Sequence, residues 1–291
     1  MTKHIPNLFT LLNLVFGCAA IIAILQNGLT IEYVPDDSQL NEMLGKIWMQ
    51  PASYPEANQL VYLSDNLIWA SVFIFLAAIV DFLDGFVARL FKASSEMGKQ
   101  LDSLADVVSF GVAPSMIMYQ LLRFSFMKEP EGLQVSIWYL LPALFIACAG
   151  AYRLARFNID NSQSFGFKGL PIPAAGILIA SLPLLLHVGS SVFDVHELLG
   201  NKWLLYGLIL LVSGLMVSTL PLMALKFKDF TIQNNIPKLI LLGVAAIAAI
   251  FLHWLAIPVT ILVYIILSLA IKQQPHELHS KSESDAVEGS A

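Results

Sequence analysis

The chain has 291 residues, of which 57% are hydrophobic and 13% are charged, whereas an average soluble domain carries about 25% charged residues. This composition, with a mean hydropathy of +0.73, excludes soluble globular proteins, disordered chains and disulfide-rich scaffolds. Cys18 and Cys148 both lie in apolar segments, so they offer neither a disulfide framework nor a cysteine metal site. The net charge of -5 argues against a nucleic-acid partner. We therefore expect a polytopic membrane protein.

Eight apolar segments approach the roughly 20 residues that a membrane-spanning helix needs. In chain order they are 7–26, 67–90, 101–122, 136–155, 170–188, 203–224, 236–252 and 255–271. A short turn around Trp254 separates the last two, and Pro258 lies within the second of them, so one bent helix is the alternative to two. The sequence predicts an all-α membrane bundle of about eight transmembrane helices.

The basic residues predict how the bundle is oriented. With eight spans, twelve of the 16 Lys and Arg residues fall on one side of the membrane. Loops rich in Lys and Arg stay in the cytoplasm, so we expect both termini there. The four basic residues on the other side are Lys46, Arg123, Lys128 and Lys202.

The chain divides into a membrane-embedded domain, residues 1–272, and a short tail. The first 26 residues contain one Lys and no clear cleavage site, so we interpret them as a retained helix and not a signal peptide. Residues 27–65 are polar and acidic, and we expect a small extracytoplasmic insertion without a catalytic role. Residues 273–291 lack apolar periodicity, which predicts a disordered cytoplasmic tail.

Four carboxylates lie at the ends of two neighbouring spans. Asp81 and Asp84 end the second span, and Asp102 and Asp106 begin the third. Spacings of three and four residues place each pair on one helix face. Ionisable groups inside a span cost on the order of 2.5–3.5 kcal/mol each. Four that face one another would repel unless a cation lay between them.

Bound divalent cations would offset the repulsion between these carboxylates best. Carboxylate oxygens select Mg²⁺, Mn²⁺ or Ca²⁺ over zinc. Four carboxylates suit two ions about 3.5–4 Å apart, the arrangement that assists displacement at phosphorus. A proton relay and a solvated helix end are the alternatives for such a cluster.

Small and polar residues next to the carboxylates predict space for a ligand. Gly85 and Ala88 leave one helix face without bulk, and Gly98 does the same on the next helix, although small residues in membrane helices also serve helix packing. Arg89 is placed to bind a phosphate or to anchor the helix at the cytoplasmic side. Ser95 lies where an N-cap belongs, at a helix end whose free N–H groups favour anions.

The whole motif resembles the signature of the CDP-alcohol phosphotransferases. It reads Asp81-x-x-Asp84-Gly85-x-x-Ala88-Arg89, then eight residues, then Gly98-x-x-x-Asp102-x-x-x-Asp106. Within that family the chain is most similar to the phosphatidylserine synthases. The similar segments are 5–17, 98–119, 151–160 and 167–176.

The resemblance implies an activity and a set of residue roles. Members of the family are membrane enzymes that transfer a phosphatidyl or similar group from a CDP-linked donor to an alcohol and release CMP. Asp106 would be the general base. Two divalent cations, Mg²⁺ or Mn²⁺, would be held by Asp81, Asp84, Asp102 and Asp106. The CDP-diacylglycerol group would contact Asn7, Thr10, Asp84, Gly85, Ala88, Arg89, Ser95 and Gly98.

The resemblance also implies an architecture and a location: six helices as the family core, a homodimer, and a bacterial inner membrane with the active site facing the cytoplasm.

Asn7, Thr10 and Asn13 recur every three residues and give the first span a polar stripe, which supports contact with the donor. Hydrogen bonding between helices is the alternative explanation of that stripe.

The acceptor is expected to be L-serine. Arg153 and Arg156 could bind its carboxylate and Asn158 its amino group, while topological anchoring is the alternative for both arginines. Glycerol 3-phosphate would need a denser basic cluster and choline an aromatic cage. These acceptors and inositol remain alternatives, as does, from another functional class, a cation-coupled transporter. A transporter would scatter its charges over several helices, whereas here the four Asp residues fall between 81 and 106.

Overall fold

A computed structural model describes residues 5–26, 29–33, 52–54, 59–63, 65–90, 95–127, 132–159, 167–188, 194–223 and 232–270. Its α-helices in chain order are α1 (Ile5–Gln26), α2 (Asn66–Leu90), α3 (Glu96–Asp106), α4 (Ala113–Phe126), α5 (Phe145–Ile159), α6 (Ile172–Val188), α7 (Val195–Leu199), α8 (Lys202–Val217), α9 (Ile232–Leu252) and α10 (Ala256–Ala270). Its short strands are β1 (Leu29–Tyr33), β2 (Ala52–Tyr54), β3 (Gln59–Leu63), β4 (Phe167–Lys168) and β5 (Pro221–Leu222).

All eight predicted apolar segments contain helix, which confirms an all-α polytopic membrane bundle. Within the described residues, five stretches are long and apolar enough to cross a membrane, and the longest of them, 235–270, contains α10 and all but the first three residues of α9. The apolar helices α6 and α8 are shorter, with 17 and 16 residues. At 1.5 Å per residue they reach about 25 Å, slightly less than a typical hydrocarbon core.

The sixth predicted segment, 203–224, is helical for only part of its length. Helix α8 ends at Val217, and the chain then pairs as β5 with β4, Phe167 opposite Leu222. Pro221 explains the difference, because proline lacks a backbone N–H and disfavours a helical conformation in the residue before it. Gly169 follows β4 with φ +76°, and a Cβ there would lie 2.6 Å from the Met216 carbonyl oxygen. A larger residue would not fit this turn.

The last two predicted spans are two helices. A 3-10 turn, His253–Leu255, separates α9 from α10, and the two helices pack against each other. His253 has φ +49°, a conformation that few residues other than glycine adopt. Trp254 stacks on Phe75 of α2 with ring centroids 6.2 Å apart, so the turn contacts the rest of the bundle.

Helices α3 and α4 form one continuous rod, joined by a π-helical segment at Val107–Val112. The segment begins directly after Asp106. Gly17 of α1 faces it, and a Cβ on Gly17 would lie 2.9 Å from the Cα of Ser109. The π segment and α1 therefore approach at backbone distance, which brings the polar stripe of α1 close to Asp106.

Helix α1 packs against α2, α3 and the π segment, while α6 packs against α2, α4 and α10. Phe110, in the π segment, is fully buried in the resulting core. Many apolar side chains face outward, among them Trp138 and Trp203 with 76% and 73% of their surface exposed. Such a surface suits contact with lipid and not with water.

The described part of the insertion forms a small antiparallel sheet in the order β1-β3-β2, with Thr30 opposite Tyr62. The remainder of the insertion and the predicted tail 273–291 lie outside the described residues.

Candidate active site

Three carboxylates meet between α2 and α3. Asp81 lies in the second half of α2, and Asp102 and Asp106 lie one turn apart on α3. One oxygen from each lies within 4.8 Å of the other two. Asp106 is only 6% exposed, and Asp81 and Asp102 are half-buried. Two full charges 4.8 Å apart repel by about 3–4 kcal/mol at an effective dielectric constant of about 20, so the ionised cluster favours a bound cation.

Asp84 lies beside this group of three. Thr10 of α1 donates a hydrogen bond from its hydroxyl to Asp84 Oδ2, and both residues are buried. Asp84 lies three residues after Asp81 on α2, on the same side of the helix. The structure thus brings three of the four expected ligands together and connects the fourth to α1.

Asn13 connects the same helix to the centre of the cluster. Its side-chain Nδ2 donates to Asp106 Oδ1 at 3.3 Å, and Ser109 of the π segment donates to the Asn13 carbonyl at 3.1 Å. Asn13 is fully buried, and its Oδ1 has no hydrogen-bond partner among the described residues. The sequence marked Asn13 as part of a polar stripe but did not indicate its contact with Asp106.

The donor set fits hard divalent cations. Asp81, Asp102 and Asp106 offer carboxylate oxygens, which Mg²⁺ and Mn²⁺ prefer over softer ligands. The unpaired Asn13 Oδ1 adds a buried oxygen at the same place. The structure therefore holds a buried acidic cluster whose chemistry suits such ions.

Several residues expected to bind the nucleotide come together at the start of α3. Ser95 caps the helix by accepting a hydrogen bond from the Gly98 N–H at 3.0 Å. A Cβ on Gly98 would lie 3.1 Å from Asn7 Oδ1 and from Ser95 Oγ, so Asn7 of α1 reaches the same helix end. A side chain at position 98 would crowd both of these groups, so glycine permits their close approach.

The other residues that are expected to bind the nucleotide lie on α2. Gly85 is half-buried one position after Asp84. The helix includes Ala88 and Arg89, but their side chains lie outside the described residues, so their expected contacts stay predictions.

The expected acceptor residues separate into two groups. Arg153 of α5 is only 6% exposed, and its Nε has no hydrogen-bond partner in the described chain. Helix α5 packs against the π segment that directly follows Asp106. Arg156 instead donates to the Val217 carbonyl at the end of α8, at 3.2 Å. Asn158 donates to Ser103 Oγ at 2.8 Å. Of the three, Arg153 is the residue with an unsatisfied buried donor beside the cluster.

A family model described as CDP-alcohol phosphatidyltransferase matches residues 3–220. The chain belongs to this family. The expected family membership is thereby confirmed. The matched region includes the carboxylate cluster, Arg153 and all the residues that are expected to bind the nucleotide.

Curated relatives named CDP-diacylglycerol–serine O-phosphatidyltransferase share this region. The Helicobacter pylori protein is 42% identical over 160 residues, which is 54% of this chain and 61% of the relative. The Bacillus subtilis protein is 40% identical over 136 residues, or 43% of this chain and 68% of the relative. The Mycobacterium bovis protein is 32% identical over 203 residues, 67% of this chain and 65% of the relative. The match thus spans about three fifths of the Helicobacter pylori protein's length.

Tyr264 of α10 lies beyond the family match and is buried, with 6% of its surface exposed. Its hydroxyl donates to the Met223 carbonyl at 3.0 Å.

Proposed function

We propose that this family member transfers the phosphatidyl group of CDP-diacylglycerol to the hydroxyl group of L-serine, giving phosphatidylserine and CMP. The observation that carries the chemistry is the convergence of Asp81, Asp102 and Asp106 within 4.8 Å of one another. The names of the relatives support serine as the acceptor.

Two divalent cations, Mg²⁺ or Mn²⁺, belong to the proposal. Asp81, Asp84 and Asp102 would hold one, and Asp81, Asp102 and Asp106 the other. Such ions, when bound, neutralise negative charge that builds on the phosphate oxygens during displacement. The bond from Thr10 leaves the second oxygen of Asp84 available for a ligand.

The donor would lie along α1, α2 and the start of α3, with its acyl chains in the bilayer. Asn7 and Ser95 both lie close to Gly98, and the cytidine side of the donor would bind beside these three residues. Gly85 and Ala88 would give it a flat surface on α2, and Arg89 would contact a phosphate. The free N–H groups at the α3 N-terminus favour an anion at the same place.

Asp106 would act as the general base. A serine hydroxyl is a weak nucleophile at neutral pH, so a base must take its proton as the new bond forms. The serine oxygen attacks the phosphorus that carries the diacylglycerol group, and the bond from that phosphorus to the bridging pyrophosphate oxygen breaks. CMP leaves with that oxygen as part of its phosphate. The hydrogen bond from Asn13 fixes one Asp106 oxygen, and the carboxylate would take the proton of the serine hydroxyl.

Arg153 would bind the serine carboxylate. A buried guanidinium with an unsatisfied N–H favours an anionic partner, and a carboxylate can accept two hydrogen bonds from it. Arg156 and Asn158 remain proposed contacts, although each already bonds to another part of the bundle.

The proposed setting is a bacterial inner membrane with the site open to the cytoplasm, where serine is present. Twelve basic residues on the side of both termini support this orientation. A homodimer is also proposed, from the resemblance to the family. Light scattering of the purified protein in detergent would measure its mass and test the dimer.

The test of the function is CMP release by the purified full-length protein in detergent, with CDP-diacylglycerol and Mg²⁺ or Mn²⁺. L-serine, glycerol 3-phosphate, inositol and choline are compared as acceptors, with EDTA as the metal control. We expect serine-dependent CMP and phosphatidylserine that disappear with EDTA. Release with another alcohol would refute serine, and no release from folded protein would refute the transfer chemistry.

A matched pair of variants connects this activity to the cluster. Asp102→Asn removes one carboxylate from the group of three, and Asp65→Asn makes the same change at an exposed position at the start of α2. We expect Asp102→Asn to lose activity and Asp65→Asn to keep it. Equal activity of the two variants would contradict a role for the cluster.

A further inference from the structure

We propose that the side-chain carbonyl oxygen of Asn13 is a further ligand of the divalent cation at Asp106, so that one ion joins α1 to α2 and α3. The inference rests on the proposed function, because it assumes the cations that belong to that proposal. It adds a neutral oxygen from the first helix to a site whose expected ligands are all carboxylates of α2 and α3.

The first step concerns which end of the Asn13 amide faces Asp106. Nδ2 donates to Asp106 Oδ1 at 3.3 Å. The reverse orientation would set two oxygens against each other, so the carboxylate determines which end of the amide is the donor. The carbonyl oxygen lies about 2.2 Å from Nδ2 by amide geometry. It therefore lies no more than about 5.5 Å from Asp106 Oδ1, in the immediate surroundings of the cluster.

The second step concerns what this oxygen lacks. Asn13 is fully buried, and its Oδ1 has no hydrogen-bond partner among the described residues. The hydroxyl of Ser109 donates to the backbone carbonyl of Asn13 and not to its amide. A buried carbonyl oxygen without a partner is costly, so we expect a positive group to bind it in the working protein.

The third step concerns the nature of that group. Oxygens of Asp81, Asp102 and Asp106 lie within 4.8 Å of one another, and the carbonyl dipole of Asn13 adds a further partial negative charge beside them. A cation turns this repulsion into attraction. A metal ion suits a fully buried oxygen better than a bulkier substrate amine, because Mg²⁺ lies only about 2.0–2.1 Å from its ligands and accepts carbonyl as well as carboxylate oxygens.

The fourth step concerns how Asn13 is held in place. Gly17, one turn after Asn13, faces Ser109 at backbone distance, and Ser109 bonds to the Asn13 carbonyl at 3.1 Å. Thr10, one turn before Asn13, donates to Asp84. Contacts on both sides thus fix this turn of α1 against α2 and the π segment, which keeps the amide beside Asp106. A side chain that is held in this way is suited to bind a metal ion.

The first test measures Mn²⁺ binding to the purified full-length protein in detergent, by the electron paramagnetic resonance signal of the free ion. We expect Asn13→Leu to raise the Kd of one Mn²⁺ about 10–100-fold, the usual loss when a conserved part of a metal site is removed. Ser109→Ala is the matched control, because it removes the bond to the Asn13 backbone and keeps the amide. Its Kd should equal that of wild type. The measurement requires neither substrate nor turnover.

The second test separates ligation from support of Asp106, because leucine also removes the bond from Nδ2. Asn13→Cys places a sulfur at this position. A thiolate is a metal ligand, and when it binds Co²⁺ it gives a sulfur-to-metal charge-transfer absorption in the near ultraviolet. Ser109→Cys is the matched control, with its thiol on the facing segment. We expect the absorption in Asn13→Cys and neither in Ser109→Cys nor in wild type, which already contains Cys18 and Cys148.

The outcomes distinguish this inference from the proposed function. If wild type binds no Mn²⁺, the cations of the proposed function are refuted and the Asn13 ligand with them. If wild type and Asn13→Leu bind Mn²⁺ equally, or if Asn13→Cys shows no charge-transfer absorption with Co²⁺, the ligand is refuted while the carboxylate site and the transfer to serine stand. Should Asn13→Leu fail to fold, Asn13→Cys, whose side chain is smaller than that of asparagine, tests the inference by its absorption alone.

Discussion

Asn13 and Asp106 lie 93 positions apart in the chain and are joined by a hydrogen bond of 3.3 Å from Nδ2 to Oδ1. Ser109, three residues after Asp106, returns a bond to the backbone of Asn13. The first helix therefore contacts the proposed base twice, through a side chain and through the π segment behind it. Asp106 is consequently positioned by α1 as well as by its own helix.

Asn13→Ala should lower kcat about tenfold to a hundredfold, because a hydrogen bond to a charged group contributes about 1.5–3 kcal/mol. The KM for the donor should change little, since Asn13 bonds to the base. CMP release at saturating substrates measures the effect. Asn201→Ala, which removes the N-cap of α8, is the control for loss of an amide and should leave kcat unchanged. Normal turnover in Asn13→Ala would contradict the positioning of Asp106 by α1.

Asp106→Asn should abolish turnover while binding of CDP-diacylglycerol largely persists. The amide has nearly the shape of the carboxylate but does not accept the proton of the acceptor hydroxyl. Single-turnover CMP release measures the chemistry, and donor-dependent protection against thermal unfolding measures binding. Retention of more than about a tenth of the activity would exclude Asp106 as the general base.

Thr10→Val should weaken the donor site through Asp84. The change removes the hydroxyl that donates to Asp84 and leaves that buried carboxylate without this partner. We expect the KM for CDP-diacylglycerol to rise about tenfold, whereas Thr10→Ser, which restores the hydroxyl, should stay close to wild type. If valine and serine behave alike at this position, the bond to Asp84 has no role in donor binding.

Divalent cations should stabilise the folded protein through the carboxylate cluster. A ligand that binds the folded state alone adds RT ln(1 + [L]/Kd) to the free energy of unfolding, about 2.7 kcal/mol at a hundred times Kd. Mg²⁺ or Mn²⁺ should therefore raise the melting temperature of wild type and of Asp65→Asn, but not of Asp81→Asn. An equal rise in Asp81→Asn would place the ions elsewhere. The melting temperature can be measured whether or not a variant has enzymatic activity.

Arg153→Ala should raise the KM for serine far more than the KM for the donor. Arg156→Ala should raise it less, because that guanidinium is bonded to the Val217 carbonyl and not directed into the cluster. Steady-state kinetics with serine as the varied substrate compare the two variants. A larger rise of the serine KM in Arg156→Ala than in Arg153→Ala would indicate that Arg156 binds the carboxylate of serine.

Hydropathy and spacing predicted the features of this protein that depend on local sequence. The eight apolar segments became helices, and the i, i+4 spacing of Asp102 and Asp106 placed both carboxylates on one face of α3. Pro221 is a local signal for the early end of α8. The apolar segment 203–224 continues past this proline, so hydropathy alone predicted a longer helix.

Contacts between distant parts of the chain were beyond such patterns. The bond from Asn13 to Asp106 depends on how α1 packs against α3, and an asparagine at position 13 would fit equally well as an ordinary member of an apolar span. Likewise the pairing of β4 with β5 joins two dipeptides too short to carry an alternating pattern.

The π segment after Asp106 sets the rotation of everything that follows it on the same rod. A π turn contains one residue more than an α turn, and each residue turns an α-helix by about 100°. If the same residues 107–112 were wound as a regular α-helix, the apolar face of α4 would turn by about that angle away from its neighbours, unless Asp102 and Asp106 turned instead. The wider turn thus lets one continuous helix present the carboxylates of Asp102 and Asp106 to the acidic cluster in its first half and apolar side chains to the bundle in its second half.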